Sequence, residues 1–166
     1  RSHLDRNKCV TGGYHGDCCG TFACGEISPE AKRLIEVTEQ SFWKGFEQAR
    51  PGNRVYDISR AVQTYAEENG YSLVREYTGH GIGHTVHEDP EVPNYVPESG
   101  RNERLVPNMV ICVEPMVNAG KRHVSDKGRR GLEPLAAGNA PNRVQEHAAG
   151  NVRVDLVGQV GVVAKH

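Results

Sequence analysis

Val74-Arg75-Glu76-Tyr77-Thr78-Gly79-His80-Gly81-Ile82-Gly83 is the stretch on which the reading of this chain turns. Tyr71 to Glu76 reads as a strand. After it, glycines flank a histidine on both sides. A glycine has no Cβ, so such a segment can let the backbone approach a ligand or adopt positive φ. A histidine fixed there can present a ring nitrogen to a metal. A plain turn holding a hydrogen-bonded histidine has the same local sequence, so the residues further along must decide.

They follow in order. His87-Glu88-Asp89-Pro90 comes next. Val110-Ile111-Cys112-Val113-Glu114 is an apolar strand ending in a carboxylate, continued by Pro115-Met116-Val117-Asn118-Ala119-Gly120. Glu146-His147 lies beyond. Carboxylates at strand ends with one imidazole form an oxygen-rich ligand set with a single nitrogen, which suits Mn²⁺, Fe²⁺, Co²⁺ or Zn²⁺. Two bridging carboxylates can hold a pair of such ions about 3.5–4 Å apart. The competing reading is a compact zinc site of His80, His84 and His87. A histidine pair spaced i, i+4 needs a helix, and Gly79, Gly81, Gly83 and Pro90 oppose one.

Upstream, residues 1–27 are strand and turn material. Val10-Thr11 leads into Gly12-Gly13, a hairpin dipeptide, and Tyr14-His15-Gly16-Asp17 opens a second strand running to Ala23. Ser28-Pro29-Glu30-Ala31 predicts a helix start, with a capping hydroxyl and proline at the first turn. Leu34, Ile35, Phe42, Trp43, Phe46 and Ala49 give its apolar stripe, and Pro51-Gly52 ends it. A second helix is predicted from Asp57 to Asn69, with Ile58, Ala61, Val62, Tyr65 and Ala66 inward and Gly70 as the stop. Residues 78–108 read as loop-rich, residues 120–142 show little periodicity, and residues 152–157 alternate as a half-buried strand.

The chain has 166 residues, about one domain. Lys and Arg number 20 against 21 Asp and Glu, a formal charge of −1 that argues against nucleic acid as a partner. No apolar run approaches the roughly 20 residues of a membrane helix. The 19 glycines and nine prolines predict many shaped turns. Five cysteines without a C-x-x-C pair read as reduced thiols in a cytoplasmic protein.

Taken in order, residues 74–83, 87–95 and 114–120 resemble type I methionine aminopeptidases. Tyr14-His15-Gly16-Asp17 and the helix from Ser28 match them too. The resemblance implies the pita-bread α/β fold, with only its C-terminal portion present: residues 1–166 as a single catalytic-type domain truncated at the N-terminus. It implies two divalent ions (Co, Mn, Fe or Zn). Asp5, Asp17, His80, Glu114 and Glu146 would be their ligands. His87 and Glu114 would be catalytic, with Val86 beside His87 on the substrate. The implied substrates are peptide or nascent-protein N-termini, with the ribosome as a further partner and no membrane.

Departures from the family are visible. Asp5 and Asp17 stand twelve positions apart, one more than is usual, so either the hairpin bulges or Arg6 takes the ligand position. Residues 121–145 form a divergent loop region lacking the aromatic residue that closes the specificity pocket. Asn108 and Ala148 replace the usual glycine and hydroxyl residue. A half-domain would also leave sheet edges and helix faces open to self-association. Two other readings therefore stand beside the aminopeptidase: a catalytically impaired or non-catalytic binding module on the same scaffold, and a relative of X-Pro dipeptidases.

Overall fold

The chain is described from a computed structural model at residues 2–120, 152–155 and 158–161, with side chains described for residues 7–120. β1 (Ser2–Thr11) and β2 (Tyr14–Ala23) pair antiparallel in unbroken register, with Thr11 opposite Tyr14. Gly12 and Gly13, at φ of 59° and 83°, close the two-residue turn. Both central positions of that turn type need positive φ, which is why two glycines stand there.

Helix α1 (Pro29–Phe46) begins as predicted, with the Ser28 hydroxyl accepting from the Ala31 amide at 3.2 Å. Its inward face departs from the predicted stripe. Leu34, Val37, Thr38, Ser41, Phe42 and Gly45 are buried, whereas Trp43 and Phe46 are 45% and 43% exposed. Trp43 follows Phe42 by one residue, about 100° around the helix axis, so the two cannot share the inward face. The two exposed rings pack edge-on, 5.5 Å apart.

Helix α2 (Val55–Glu68) starts earlier than predicted. The Asp57 carboxylate accepts from the Arg54 amide at 2.8 Å, so Asp57 closes the first turn from inside the helix. Gly70, at φ 81°, stops it. The helices touch at Gly45, where a Cβ would lie 2.7 Å from Val62 Cγ2.

Beyond α2 come β3 (Ser72–Leu73), β4 (Gly79–Gly81), β5 (Glu88–Val92), β6 (Val110–Val113), β7 (Met116–Ala119), β8 (Val152–Asp155) and β9 (Gly158–Gly161). They form two antiparallel sheets, ordered β3-β7-β8 and β5-β4-β6-β9. The presence of β4 and β5 corrects the loop reading of residues 78–108. Gly79 and Gly81 are strand residues with negative φ. A Cβ on Gly79 would strike the Cys112 carbonyl, and one on Gly81 the Asp89 carbonyl. Their role is close passage between neighbouring strands, not ligand approach or positive φ. Pro90 is accommodated because β5 is an edge strand.

One apolar core joins Leu34 and Phe42 of α1, Val55, Ile58, Val62 and Ala66 of α2, and Leu73, Val92, Ile111, Val113 and Val117 from the sheets. None of the described helices is long and apolar enough to cross a membrane. The predicted divergent region 121–145 lies outside the described residues.

Candidate metal centre

β6 alternates, and the alternation builds the site. Ile111 and Val113 enter the helix-facing core. Cys112 belongs to a second buried cluster with Cys19 and Ile82. Glu114 continues that parity one step past the strand. Across the ladder, His80 of β4 is the register partner of Cys112. A nitrogen of His80, the sulfur of Cys112 and a carboxylate oxygen of Glu114 all lie within 4.8 Å of one another, and all three residues are buried.

The chemistry of this trio follows from its hydrogens. His80 Nδ1 lies 2.8 Å from the Gly81 carbonyl. A carbonyl oxygen only accepts, so Nδ1 carries the hydrogen and the neutral ring presents a lone pair at Nε2. That Nε2 faces Glu114 Oε1 at 2.9 Å. It is buried and has no hydrogen-bond partner. A lone pair and a carboxylate oxygen at that separation repel unless a proton or a cation serves both. An imidazole nitrogen, a carboxylate oxygen and a sulfur within 4.8 Å of one another are a donor set that fits a divalent transition cation.

Neighbours fix this arrangement. Asn94, itself buried, donates from Nδ2 to the Glu114 carbonyl at 2.6 Å and so pins the main chain at the strand end. The ring of His87 lies 4.3 Å from that of His80, tilted by 66°, and is exposed toward solvent. Val86 beside it is half-buried. The loop between them and the sheet is tied by the Thr85 amide donating to Glu88 Oε1 at 2.7 Å. That bond holds the exposed Glu88 carboxyl below its usual range.

The hairpin approaches from the other side. Asp17, Cys19 and Thr21 form the buried face of β2. The His15 amide donates to the Gly83 carbonyl at 2.8 Å. His84 Nδ1 donates to the Gly13 carbonyl at 3.1 Å, and its ring stacks on Tyr14. His84 is thereby committed to the hairpin, and the predicted alternative of a His80, His84 and His87 zinc cluster does not form. Asp17 is buried on the face of β2 that carries Cys19, which packs with Cys112, but it is not among the atoms that lie within 4.8 Å of one another. Its Oδ2 is 3.2 Å from the Lys8 ammonium.

Two expected ligands fare differently. The unbroken hairpin register excludes the bulge that would have brought Asp5 into phase with Asp17. Asp5 pairs with Gly20 and Lys8 with Asp17, so position 5 has the opposite parity from position 17 and Arg6 the same. The side chain of Asp5 lies outside the described residues, so its place in the ligand set stays an expectation. Glu146 lies outside the described residues. Sequence reasoning missed Cys112, Lys8 and Asn94. Strand alternation back from Glu114 was the available signal for Cys112. No local pattern marks the other two, because their partners are distant in sequence.

Comparison with known proteins gives the family and the fold. The sequence pattern of Metallopeptidase family M24 matches residues 7–154. Methionine aminopeptidase 1 of Bacillus subtilis is 53% identical over 112 residues, a match covering 68% of this chain and 45% of that protein. The chain thus spans about half the length of the curated relatives it matches. A crystal structure of methionine aminopeptidase from Rickettsia prowazekii superposes with a TM-score of 0.79 at 33% identity, over 98% of this chain and 60% of that one. X-Pro aminopeptidase from Thermotoga maritima, at 18% identity and a TM-score of 0.67 over 98% of this chain and 37% of that one, shares the fold alone. These likenesses identify the architecture as the pita-bread fold.

Proposed function

We propose, for a chain that belongs to metallopeptidase family M24, that it releases methionine from peptide and nascent-protein N-termini with two divalent cations. The observation carrying this reading is the buried approach of His80 Nε2 to Glu114 Oε1 at 2.9 Å. The relatives named above support methionine as the residue removed. Cytoplasmic residence goes with that reading.

His80 and Glu114 would hold the first cation. Asp17 would contribute to the second, with Glu146 as its further carboxylate. A divalent ion held there supplies Lewis acidity, activating water at neutral pH and polarising a carbonyl. The protein's own groups divide the remaining work. The Glu114 carboxylate, its main chain held by Asn94, can take a proton at the oxygen that does not hold the cation and return it to the departing amine. His87, exposed beside His80, can donate from its ring to the scissile carbonyl. Removing one such donor costs roughly 10²–10³ in turnover in comparable sites. The Gly81 carbonyl keeps the His80 hydrogen on Nδ1 and leaves Nε2 for the cation.

A second reading is favoured by one observation, the Lys8–Asp17 pair. An ammonium already satisfying Asp17 competes with any ion there, as a binding module without turnover would allow. The test is a peptidase assay on the full chain with Met-Ala and Ala-Pro substrates in Mn²⁺, Fe²⁺ or Co²⁺, beside calorimetric counting of bound ions. Release of methionine with about two ions bound supports the enzyme. One ion or none, without hydrolysis, supports the module. Preferential cleavage of the Ala-Pro substrate would point instead to dipeptidase chemistry.

A further inference from the structure

We propose that Cys112 is a protein ligand of the cation held by His80 and Glu114, making an imidazole–carboxylate–thiolate site that favours thiophilic ions such as Zn²⁺ and Co²⁺ over Mn²⁺. This rests on the metal reading above and goes beyond it, since that reading gives Cys112 no role.

The placement is set by the backbone. Cys112 is the cross-strand partner of His80 and shares the parity of Glu114, so one face of two adjacent strands presents all three side chains. Directly opposed residues in a ladder have Cβ atoms about 4.5–5.5 Å apart, close enough to share one small ion. Metal–ligand bonds run near 2.3 Å for sulfur and 2.0–2.2 Å for nitrogen and oxygen, so two ligand atoms on one tetrahedral ion lie about 3.6 Å apart. Atoms at the 4.8 Å limit would close by about 1 Å, a movement that side-chain rotation on a fixed backbone can supply.

The bland alternative is a core cysteine acting as a small hydrophobe, the commonest role of a buried free thiol. Cys19 and Ile82 do pack against Cys112, but polar groups stand beside it as well. The residues of β6 that fill the main core are its neighbours Ile111 and Val113. Cys112 is on the other face, against a buried carboxylate and a buried imidazole nitrogen with no hydrogen-bond partner. His80 is only 7% exposed, so water does not readily solvate that nitrogen. On binding, the sulfur–hydrogen bond breaks, the thiol proton passes to solvent, and a sulfur–metal bond forms. Thiolate ligation is what moves a nitrogen–oxygen site toward zinc and cobalt.

The experiment is cobalt loading of the full chain, read by absorption. A thiolate ligand gives an intense sulfur-to-cobalt charge-transfer band in the near ultraviolet, which nitrogen and oxygen ligands lack. The wild-type chain should show it. Cys112→Ser and Cys112→Ala should lose it while still binding cobalt, and Cys19→Ser should keep it. The zinc-to-manganese affinity ratio should fall at least tenfold in the Cys112 variants. The alanine variant covers the case in which a buried serine hydroxyl impairs folding. Cobalt bound without the band, or a band that survives in Cys112→Ala, overturns the Cys112 assignment and leaves the metal centre standing. No cobalt bound at all overturns both.

Discussion

On one face of β6, Ile111 and Val113 are packed against the two helices; on the other, one residue away, Cys112 and Glu114 stand with His80. The first face contains only groups that gain by leaving water. The second buries a carboxylate and an imidazole lone pair at 2.9 Å, an arrangement that costs several kcal/mol unless a cation or proton compensates. The contrast separates the residues that make the fold from those the fold pays to hold in place. It can be broken from either side. Glu114→Gln should lower methionine release by about 10³-fold, the loss of a proton carrier and a charged ligand together. The same change should leave the metal-free protein as stable as before or about 1 kcal/mol more so, because an amide can donate to His80 Nε2 where a carboxylate cannot. Chemical denaturation in the presence of a chelator checks this. A loss of several kcal/mol there would make the polar face structural.

The apolar face should respond in the opposite sense. Ile111→Ala leaves a cavity under both helices and should cost about 2–5 kcal/mol of stability. Its dissociation constant for Zn²⁺, measured where the variant is still folded, should stay within about twofold of wild type. A large change in metal affinity would show that the two faces are coupled through the strand.

A smaller effect is expected where the hairpin meets the site. The Lys8 side chain is 43% exposed while the Asp17 carboxylate is fully buried. Lys8→Met removes a cation from a buried anion, and should lower metal-free stability by about 1 kcal/mol. Added divalent metal should then restore more stability to the variant than it gives the wild type, since an ion can take the ammonium's place. Equal metal-dependent shifts in melting temperature for the two proteins would show that Asp17 takes no part in binding.

How much of this could be read beforehand depends on the range of the interaction. The Ser28 cap, the Gly12-Gly13 turn and the Gly70 stop are local, and each stands where the sequence puts it. His80 and Glu114 were legible because a histidine between glycines and a carboxylate ending an apolar strand carry a chemical pattern. Gly79 and Gly81 misled, because tight passage between strands and turn formation both call for glycine, and only the neighbours tell them apart. The exposed Trp43 and Phe46 misled because apolar type was weighed above helical angle. Asp5 turned on hairpin register, which the count of twelve residues posed but could not resolve. Lys8 and Asn94 were invisible, because their significance lies in what the chain brings beside them.

The smallest effect lies at the loop that carries His87. Glu88 is solvent-exposed, and its carboxyl is held below the ordinary 4.5 chiefly by the Thr85 amide hydrogen bond, with smaller help from the Thr85 hydroxyl and the His84 charge. A carboxylate whose folded pKa is depressed contributes stability above its unfolded pKa and loses it as pH falls through the folded value. The loop should therefore be fully tied at neutral pH and should begin to loosen only below pH 4.5. The Thr85 amide resonance, followed by NMR, should titrate with a midpoint below that of a free glutamate, and Glu88→Gln should abolish the titration. A midpoint at or above the free value would mean the amide is not bonded to the carboxylate. His87 would then lack the anchor on its loop, while the buried pair of His80 and Glu114, which owes nothing to Glu88, would be unaffected.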